Sequence, residues 1–361
     1  MSIKKDKYYI NLANVLAQNS LGYTGPNPSV GAVVVKNDNV ISFGTTSQSG
    51  RPHAEINALK NLSKQEKNNA TIYISLEPCT HYGKTPPCVN EISNSKFKKV
   101  IYSLNDIDPR TSGKAYKFLK SKKIYVKKNI LSENAKLIYK KYFYSKTKSL
   151  PYLIGKLAIS KDFFIKDKKE FYITNKQSLK TTHILRSKVN CILTSSNTVN
   201  SDNPKLNCRI HGLEKFSPCV AIIDKDLKIK KKTYLVNNAK KNNTYIFYNK
   251  INKTMIKFLK SKKIKLIYTP LDGKKLDFDF ILKHLYRNEI SSVLVEGGKK
   301  LISSLVNNDY FNEFYLFVAS KNLKKRGLLK MKNIKHNLSM KFKNNKFNET
   351  FLETDNLIHY F

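Results

Sequence analysis

Residues 51–55 read RPHAE and residues 76–88 read LEPCTHYGKTPPC. Together they supply one imidazole, His53, and two thiols, Cys79 and Cys88, each thiol directly after a proline. A catalytic zinc takes three protein ligands on a tetrahedron at ~2.0–2.3 Å and keeps a fourth position for water, whose pKa it lowers to about 7. His53, Cys79 and Cys88 are the candidate ligands. Glu55, two residues beyond His53, can stay off the metal and act as the catalytic acid–base, passing a water proton to a ring nitrogen and to leaving ammonia. Singly, each of these residues is more often structural: a core histidine, two inert thiols. Their joint occurrence, with Glu at +2 and Pro before both cysteines, points to a zinc-dependent deaminase. A structural zinc centre with His81 as fourth ligand is the alternative, and it leaves Glu55 without a task.

The surroundings alternate helix and strand. Residues 5–19 carry Tyr8, Leu12, Val15 and Leu16 at helical spacing, and VGAVVVK (30–36) and VISFGT (40–45) read as strands about an Asn-Asp-Asn turn. A helix is expected from Ala54, a strand at TIYISLEP (71–78), strands at 100–104 and 124–126, and helices at 114–121 and 132–144. Pro87 suits a helix start at Cys88, and a helix N-terminus stabilises the thiolate that a metal requires. The stretch KTKSLPY (146–152) lacks periodicity and reads as a boundary, giving domains 1–147 and 148–361.

Beyond it, strands are expected at YLIGKLAI, CILTSS, CVAIID, TYIFYN, KLIYT, SVLVEGG and EFYLFVAS, with helices at 176–188, 253–262, 277–288 and 299–307. In VEGGKK a strand ends in Glu296-Gly297-Gly298 and a helix begins, an arrangement that admits a phosphate, although a plain turn is the commoner meaning of two glycines. The segment from Asn322 to Lys346 is weakly patterned.

Eight residues separate the two cysteines, where nucleic-acid and nucleoside deaminases usually have two. LEPCTHYGKTPPC, PNPSVGAVVVK (26–36), RPHAE and DPRTSGKA (108–115) resemble the deaminase domain of the bifunctional riboflavin-biosynthesis deaminase/reductase. The resemblance implies an α/β protein: an N-terminal cytidine-deaminase-like α/β/α domain and a C-terminal dihydrofolate-reductase-like α/β domain. It implies hydrolytic deamination of 2,5-diamino-6-ribosylamino-4(3H)-pyrimidinone 5′-phosphate, then NADPH reduction of ribosyl to ribityl. Asn27 would help hold the ring; without the family it is an ordinary turn residue. Lys84 is either a phosphate contact or a solvated loop lysine.

In the second half KLAISKD (156–162), YIT (172–174), ILRSKVNCILTSSNTVNSDNP (184–204) and VEGG (295–298) are similar to the reductase domain of the same family. By that match Ala158, Tyr172, Thr198, Asp202 and Gly298 would line the NADPH site, and Arg186, Leu206, Arg209 and Glu296 would face the ribose phosphate. Asp202 is a candidate for proton handling or for orienting the cofactor. Phe163 stands where the family usually has Gly, and Glu170 where it usually has Ser; a carboxylate there would repel a phosphate. These two departures motivate an alternative, a deaminase whose second half is only a scaffold.

The formal charge of +41 raises a further alternative, a nucleic-acid deaminase. Only six of the 67 basic residues are arginine, the rest being lysine scattered through every segment, so no specific nucleic-acid partner is expected. No apolar run approaches the ~18 residues that cross a bilayer, and the start of the chain has no apolar signal stretch. A cytoplasmic enzyme with a small-molecule substrate is expected, and by resemblance a homodimer. Cys191, Cys208 and Cys219 lie in or beside apolar stretches and read as buried small hydrophobes.

Overall fold

Val33, Val35, Tyr73 and Ile101 form one apolar face of a sheet, and Ala32, Val34, Ile72, Ile74, Val100 and Tyr102 form the other. Alternate residues of a strand point to opposite faces, so a sheet apolar on both needs helices on both. The computed structural model, which describes residues 3–348 and 352–361, has that arrangement. Its elements run α1 (Ile3–Asn19), β1 (Gly31–Lys36), β2 (Asn39–Thr45), α2 (Ala54–Leu59), α3 (Lys64–Lys67), β3 (Thr71–Ile74), α4 (Cys88–Asn94), β4 (Lys99–Tyr102), α5 (Lys114–Ser121), β5 (Tyr125–Lys127) and α6 (Ser132–Lys148). The strands order as β2-β1-β3-β4-β5. Tyr9, Ile10 and Ala13 of α1 cover the first face, and residues of α2, α4, α5 and α6 the second. The ladder expected over 71–78 ends at Ile74. Ser75 leaves it, its Oγ accepting the Gly31 N–H at 2.9 Å and bonding the Tyr139 hydroxyl at 2.6 Å.

The chain divides into two compact units, the first ending at Leu150 and the second beginning at Pro151. The second contains β6 (Tyr152–Ile159), β7 (Phe164–Asp167), α7 (Lys176–Ser187), β8 (Cys191–Ser195), α8 (Ser196–Asp202), β9 (Cys219–Ile223), α9 (Tyr234–Asn237), α10 (Ala239–Asn242), β10 (Thr244–Tyr248), α11 (Lys253–Ser261), β11 (Lys265–Tyr268), β12 (Leu271–Asp272) and β13 (Lys275–Leu276). It continues with α12 (Phe278–Arg287), β14 (Ser292–Glu296), α13 (Lys299–Asn307), β15 (Glu313–Val318), β16 (Gly327–Lys330), α14 (Ile334–Lys341), β17 (Asn345–Asn348) and β18 (Asn356–Tyr360). Nine strands form one sheet, β11-β10-β9-β8-β14-β6-β15-β18-β17. From β11 to β15 all pairings are parallel; β18 and β17 add an antiparallel edge. Strands β6, β8 and β14 lie side by side in the parallel part of the sheet, so their carboxyl ends share one edge. The segment 322–346, unpatterned in sequence, holds β16, which pairs with β7, and α14.

Candidate functional site

His53 is the residue before α2, and Cys88 is the first residue of α4 after Pro87. Gly44 lets α2 lie directly on β2: a Cβ there would stand 2.4 Å from Ala54 O and from Ala58 N. The Cys88 N–H donates to Cys79 Sγ at 3.3 Å, so the helix start also orients the loop thiol. His53 Nδ1 lies 3.5 Å from Cys79 Sγ and 3.3 Å from Cys88 Sγ, and the three donor atoms all fall within 4.8 Å of one another. Tetrahedral zinc with ordinary bond lengths separates its ligand atoms by about 3.5 Å, so one imidazole and two thiols at this spacing fit it.

The Glu55 carboxyl is only 3 % exposed and in hydrogen-bond contact with the Cys88 thiol. Burial, then the Cys79 charge, pushes its pKa up. The hydrogen bond from Cys88 draws Cys79 toward thiolate, while the same contact and burial push Cys88 up. A cation drives the remaining proton off, as metal binding does in thiolate sites generally.

Three further features frame this centre. Asn27 Nδ2 donates to Gly50 O at 3.0 Å and sets the turn that leads into RPHAE. Gly50 has φ +88°, and a Cβ on it would lie 2.2 Å from Asn27 Nδ2, so a side chain is excluded there. Buried Glu77 accepts the N–H groups of Asp106, Gly113 and Ala115 at 3.2, 3.0 and 3.1 Å, which fastens the DPRTSGKA loop; its position next to Pro78 carried no sign of this. His81 Nδ1 turns to Thr111 Oγ1 at 3.1 Å, and among the described residues His81 is not in the donor group, which removes the four-ligand alternative. Lys84 is exposed.

In the second unit, Arg186 of α7 donates from Nε and Nη2 to the two carboxylate oxygens of Glu296 at 2.6 and 2.9 Å, and from Nη1 to Asn207 O at 3.2 Å. Both residues were expected to face the ribose phosphate substrate; here they are bonded to each other. Strand pairing sets Lys156 beside Glu296. Burial pulls the Lys156 ammonium's pKa down against the raising effect of Glu296. His183 Nδ1 bonds Asn207 O at 3.0 Å; burial, then Arg186 and Arg209, hold its pKa down to about 4. Lys156 and His183 escaped the sequence reading because no local pattern marks a core-facing lysine or histidine. Arg209 is exposed, with Nη1 on Asn207 Oδ1 at 3.0 Å. Leu206 is buried at φ +47°.

Thr198 Oγ1 lies 3.9 Å from where a Cβ on Gly298 would stand, so the ends of β8 and β14 converge there. Ser195 caps α8 by accepting the Thr198 N–H. Asp202 pairs with Lys166 Nζ at 2.6 Å. Ala158 is on the same β6 face as Lys156 and packs with Leu185 against Phe317. Half-exposed Tyr172 meets Phe171 edge to face, ring centroids 4.8 Å apart.

Both departures have local explanations. Phe163 sits at φ +71°, the left-handed region in which glycine costs least, so the position keeps its backbone while the side chain carries strain. Glu170 accepts Lys321 Nζ at 2.5 Å and Arg326 Nη2 at 2.8 Å, and Arg326 also bonds Asp167. Its charge is answered by two cations, so the scaffold alternative loses its motive.

Residues 3–104 match the family model described as the cytidine and deoxycytidylate deaminase zinc-binding region, and residues 151–348 match the RibD C-terminal domain. The chain is 34 % identical to riboflavin biosynthesis protein RibD of Aquifex aeolicus over 88 % of this chain and 87 % of that one. It is 28 % identical to RibD of Escherichia coli over 88 % of each. A deaminase/reductase structure from Thermotoga maritima superposes with TM-score 0.81 at 28 % identity, covering 99 % of this chain and 98 % of that one. The fold also matches Acinetobacter baumannii RibD, TM-score 0.84 at 24 % identity over 99 % of both chains. Among the described residues no helix is long and apolar enough to cross a membrane. Zinc and NADPH are the cofactors of this pairing of domains. A deaminase zinc region followed by a RibD reductase domain, alike over nearly the full length of curated relatives, means that the chain belongs to the RibD family of bifunctional deaminase/reductase enzymes of riboflavin biosynthesis.

Proposed function

We propose that the first unit deaminates 2,5-diamino-6-ribosylamino-4(3H)-pyrimidinone 5′-phosphate and that the second reduces the ribosyl group of the product to ribityl. The observation that carries the first step is the buried Glu55 carboxyl beside the His53, Cys79 and Cys88 donor set. His53, Cys79 and Cys88 would hold zinc, whose chemistry there would be to acidify a water. Glu55 would take one proton from the attacking water and hand it to the ring nitrogen next to the amino-bearing carbon; it would then take the proton of the added hydroxyl and pass it to the departing amino group, so that the new carbonyl forms as ammonia leaves. The raised pKa of Glu55 suits a group that must accept and return a proton near neutrality. Asn27 borders the ring through the turn it holds.

The second step rests on the cluster Arg186, Lys156, Arg209 and Glu296, in which three cations meet one carboxylate and His183 stays neutral. That excess of positive charge favours a sugar phosphate. Arg186 holds Glu296 in place, Glu296 and Lys156 address the sugar, and Arg209 and the Leu206 turn border the phosphate. NADPH supplies the hydride. Ala158, Tyr172, Thr198, Asp202 and Gly298 line its place, Gly298 at the start of α13 where backbone N–H groups favour a phosphate. The protein acts as a cytoplasmic homodimer and has no specific nucleic-acid partner. The purified chain, given the diaminopyrimidine phosphate, should release ammonia without NADPH and oxidise NADPH only after deamination. No ammonia release by zinc-loaded protein would refute the reading.

A further inference from the structure

Arg51 is one of six arginines in a chain of 67 basic residues, and it stands two residues before His53. Its Nε is fully buried without a hydrogen-bond partner. Among the described residues its side chain is in no ion pair, whereas Arg110, Arg186 and Arg326 are each tied to a carboxylate. A buried N–H without an acceptor is costly, because its desolvation is not repaid by a hydrogen bond, and the half-buried Arg51 side chain carries one at Nε. Its Nη2 lies 3.2 Å from where a Cβ on Gly83 would stand, so the guanidinium rests between the RPHAE turn and the eight-residue insert, the two segments that carry the metal donors. In residues 46–55 and 78–88 the only carboxylate is Glu55, which is buried beside Cys88. Glu77, next in line, is committed to three backbone N–H groups. Lys84, exposed on the same insert, adds a second cation.

We propose that Arg51 recognises the anionic end of the deaminase substrate, an oxyanion seated between the turn and the insert satisfying Nε and Nη2 together. The fork geometry of a guanidinium suits a phosphate better than it suits a single-point acceptor. The inference rests on the deaminase reading and names the residue that sets the preference for a phosphorylated substrate. Gly83 belongs to the same device, since a side chain there would press on Nη2.

The test compares wild type, Arg51→Gln and Arg51→Lys, all zinc-loaded, with the 5′-phosphate substrate and with its dephosphorylated ribosyl form. Arg51→Gln should raise the deaminase KM for the phosphate substrate about 10–100-fold with kcat within a few-fold. KM for the dephosphorylated form and zinc content should not move. Arg51→Lys should recover part of the loss, and inorganic phosphate should inhibit wild type competitively and Arg51→Gln much less. An unchanged KM, or an equal rise with both substrates, would overturn the proposal and make Arg51 a strut for the insert. If wild type itself fails to release ammonia, the deaminase reading falls, and titration with inorganic phosphate still judges Arg51: one site fewer in Arg51→Gln supports the anion site, equal stoichiometry removes it.

Discussion

Arg186 and Glu296 are 110 positions apart in the chain and joined by two charge-assisted hydrogen bonds of 2.6 and 2.9 Å, each side chain only 11 % exposed. Removing one partner strands the other as a buried charge. Arg186→Ala should therefore destabilise the second unit by about 3–5 kcal/mol. Arg186→Met combined with Glu296→Leu should recover much of that loss while abolishing reduction. Denaturant titrations of wild type and the two variants check this; a single mutant as stable as wild type contradicts it.

At the metal centre, Cys79→Ser and Cys88→Ser should each lose zinc and ammonia release together, since a hydroxyl is a poor zinc ligand. Glu55→Gln should retain one zinc per chain and lose at least ~100-fold in turnover. Elemental analysis with an ammonia assay separates the two classes, and a strong chelator should reproduce the cysteine phenotype in wild type.

The two activities should separate by mutation, because each donor set closes within its own unit. Glu55→Gln should leave reduction of pre-deaminated substrate intact. Arg209→Ala should raise the reductase KM roughly 10–150-fold, a loss of about 1.5–3 kcal/mol in a charge-assisted contact, and leave ammonia release unchanged. A parallel fall in both activities would argue against separate sites.

His183 gives the second unit a pH dependence of definite sign. Burial, Arg186 and Arg209 lower its pKa to about 4, while Asn207 O and Glu296 oppose them. The unfolded ring, with a pKa of about 6.5, binds the proton more readily. Stability from this group is thus fully present above pH about 6.5 and is lost as pH falls toward about 4. Discounted for a half-exposed ring, the loss is about 1–2 kcal/mol. His183→Gln should flatten the stability profile across that window, and an unaltered slope would count against the assignment.

Phe163 at φ +71° makes a backbone test possible. Phe163→Ala should be less stable than Phe163→Gly by about 1 kcal/mol, because both remove the ring and only glycine relieves the left-handed strain. Equal stability of the two would mean that the turn relaxes without cost.

The zinc donors and Glu55 were legible in the chain because their chemistry is carried by residue type and short spacing: an imidazole with a carboxylate two residues on, and thiols behind prolines at a helix start. Strands of the first sheet were legible for a similar reason, since runs such as VGAVVVK are local; the two apolar faces they build emerge only in the assembled sheet. Glu77 was not, because its role lies in reaching the N–H groups of Asp106, Gly113 and Ala115. Arg51 looked like one more cation until its missing partner was seen.

By itself the sequence determined the metal chemistry, the two-part organisation and the α/β class, all of which follow from patterns within a few turns of chain. Tertiary structure decided that Arg186 grips Glu296 instead of standing free, and that Lys156 joins them through the β6–β14 register. It also decided that Glu170 is neutralised by Lys321 and Arg326, and that 322–346 contributes a strand to β7. Those outcomes depend on strand order and on side chains more than a hundred residues apart. Burial then selects which charges must find one another, and no local periodicity encodes that choice.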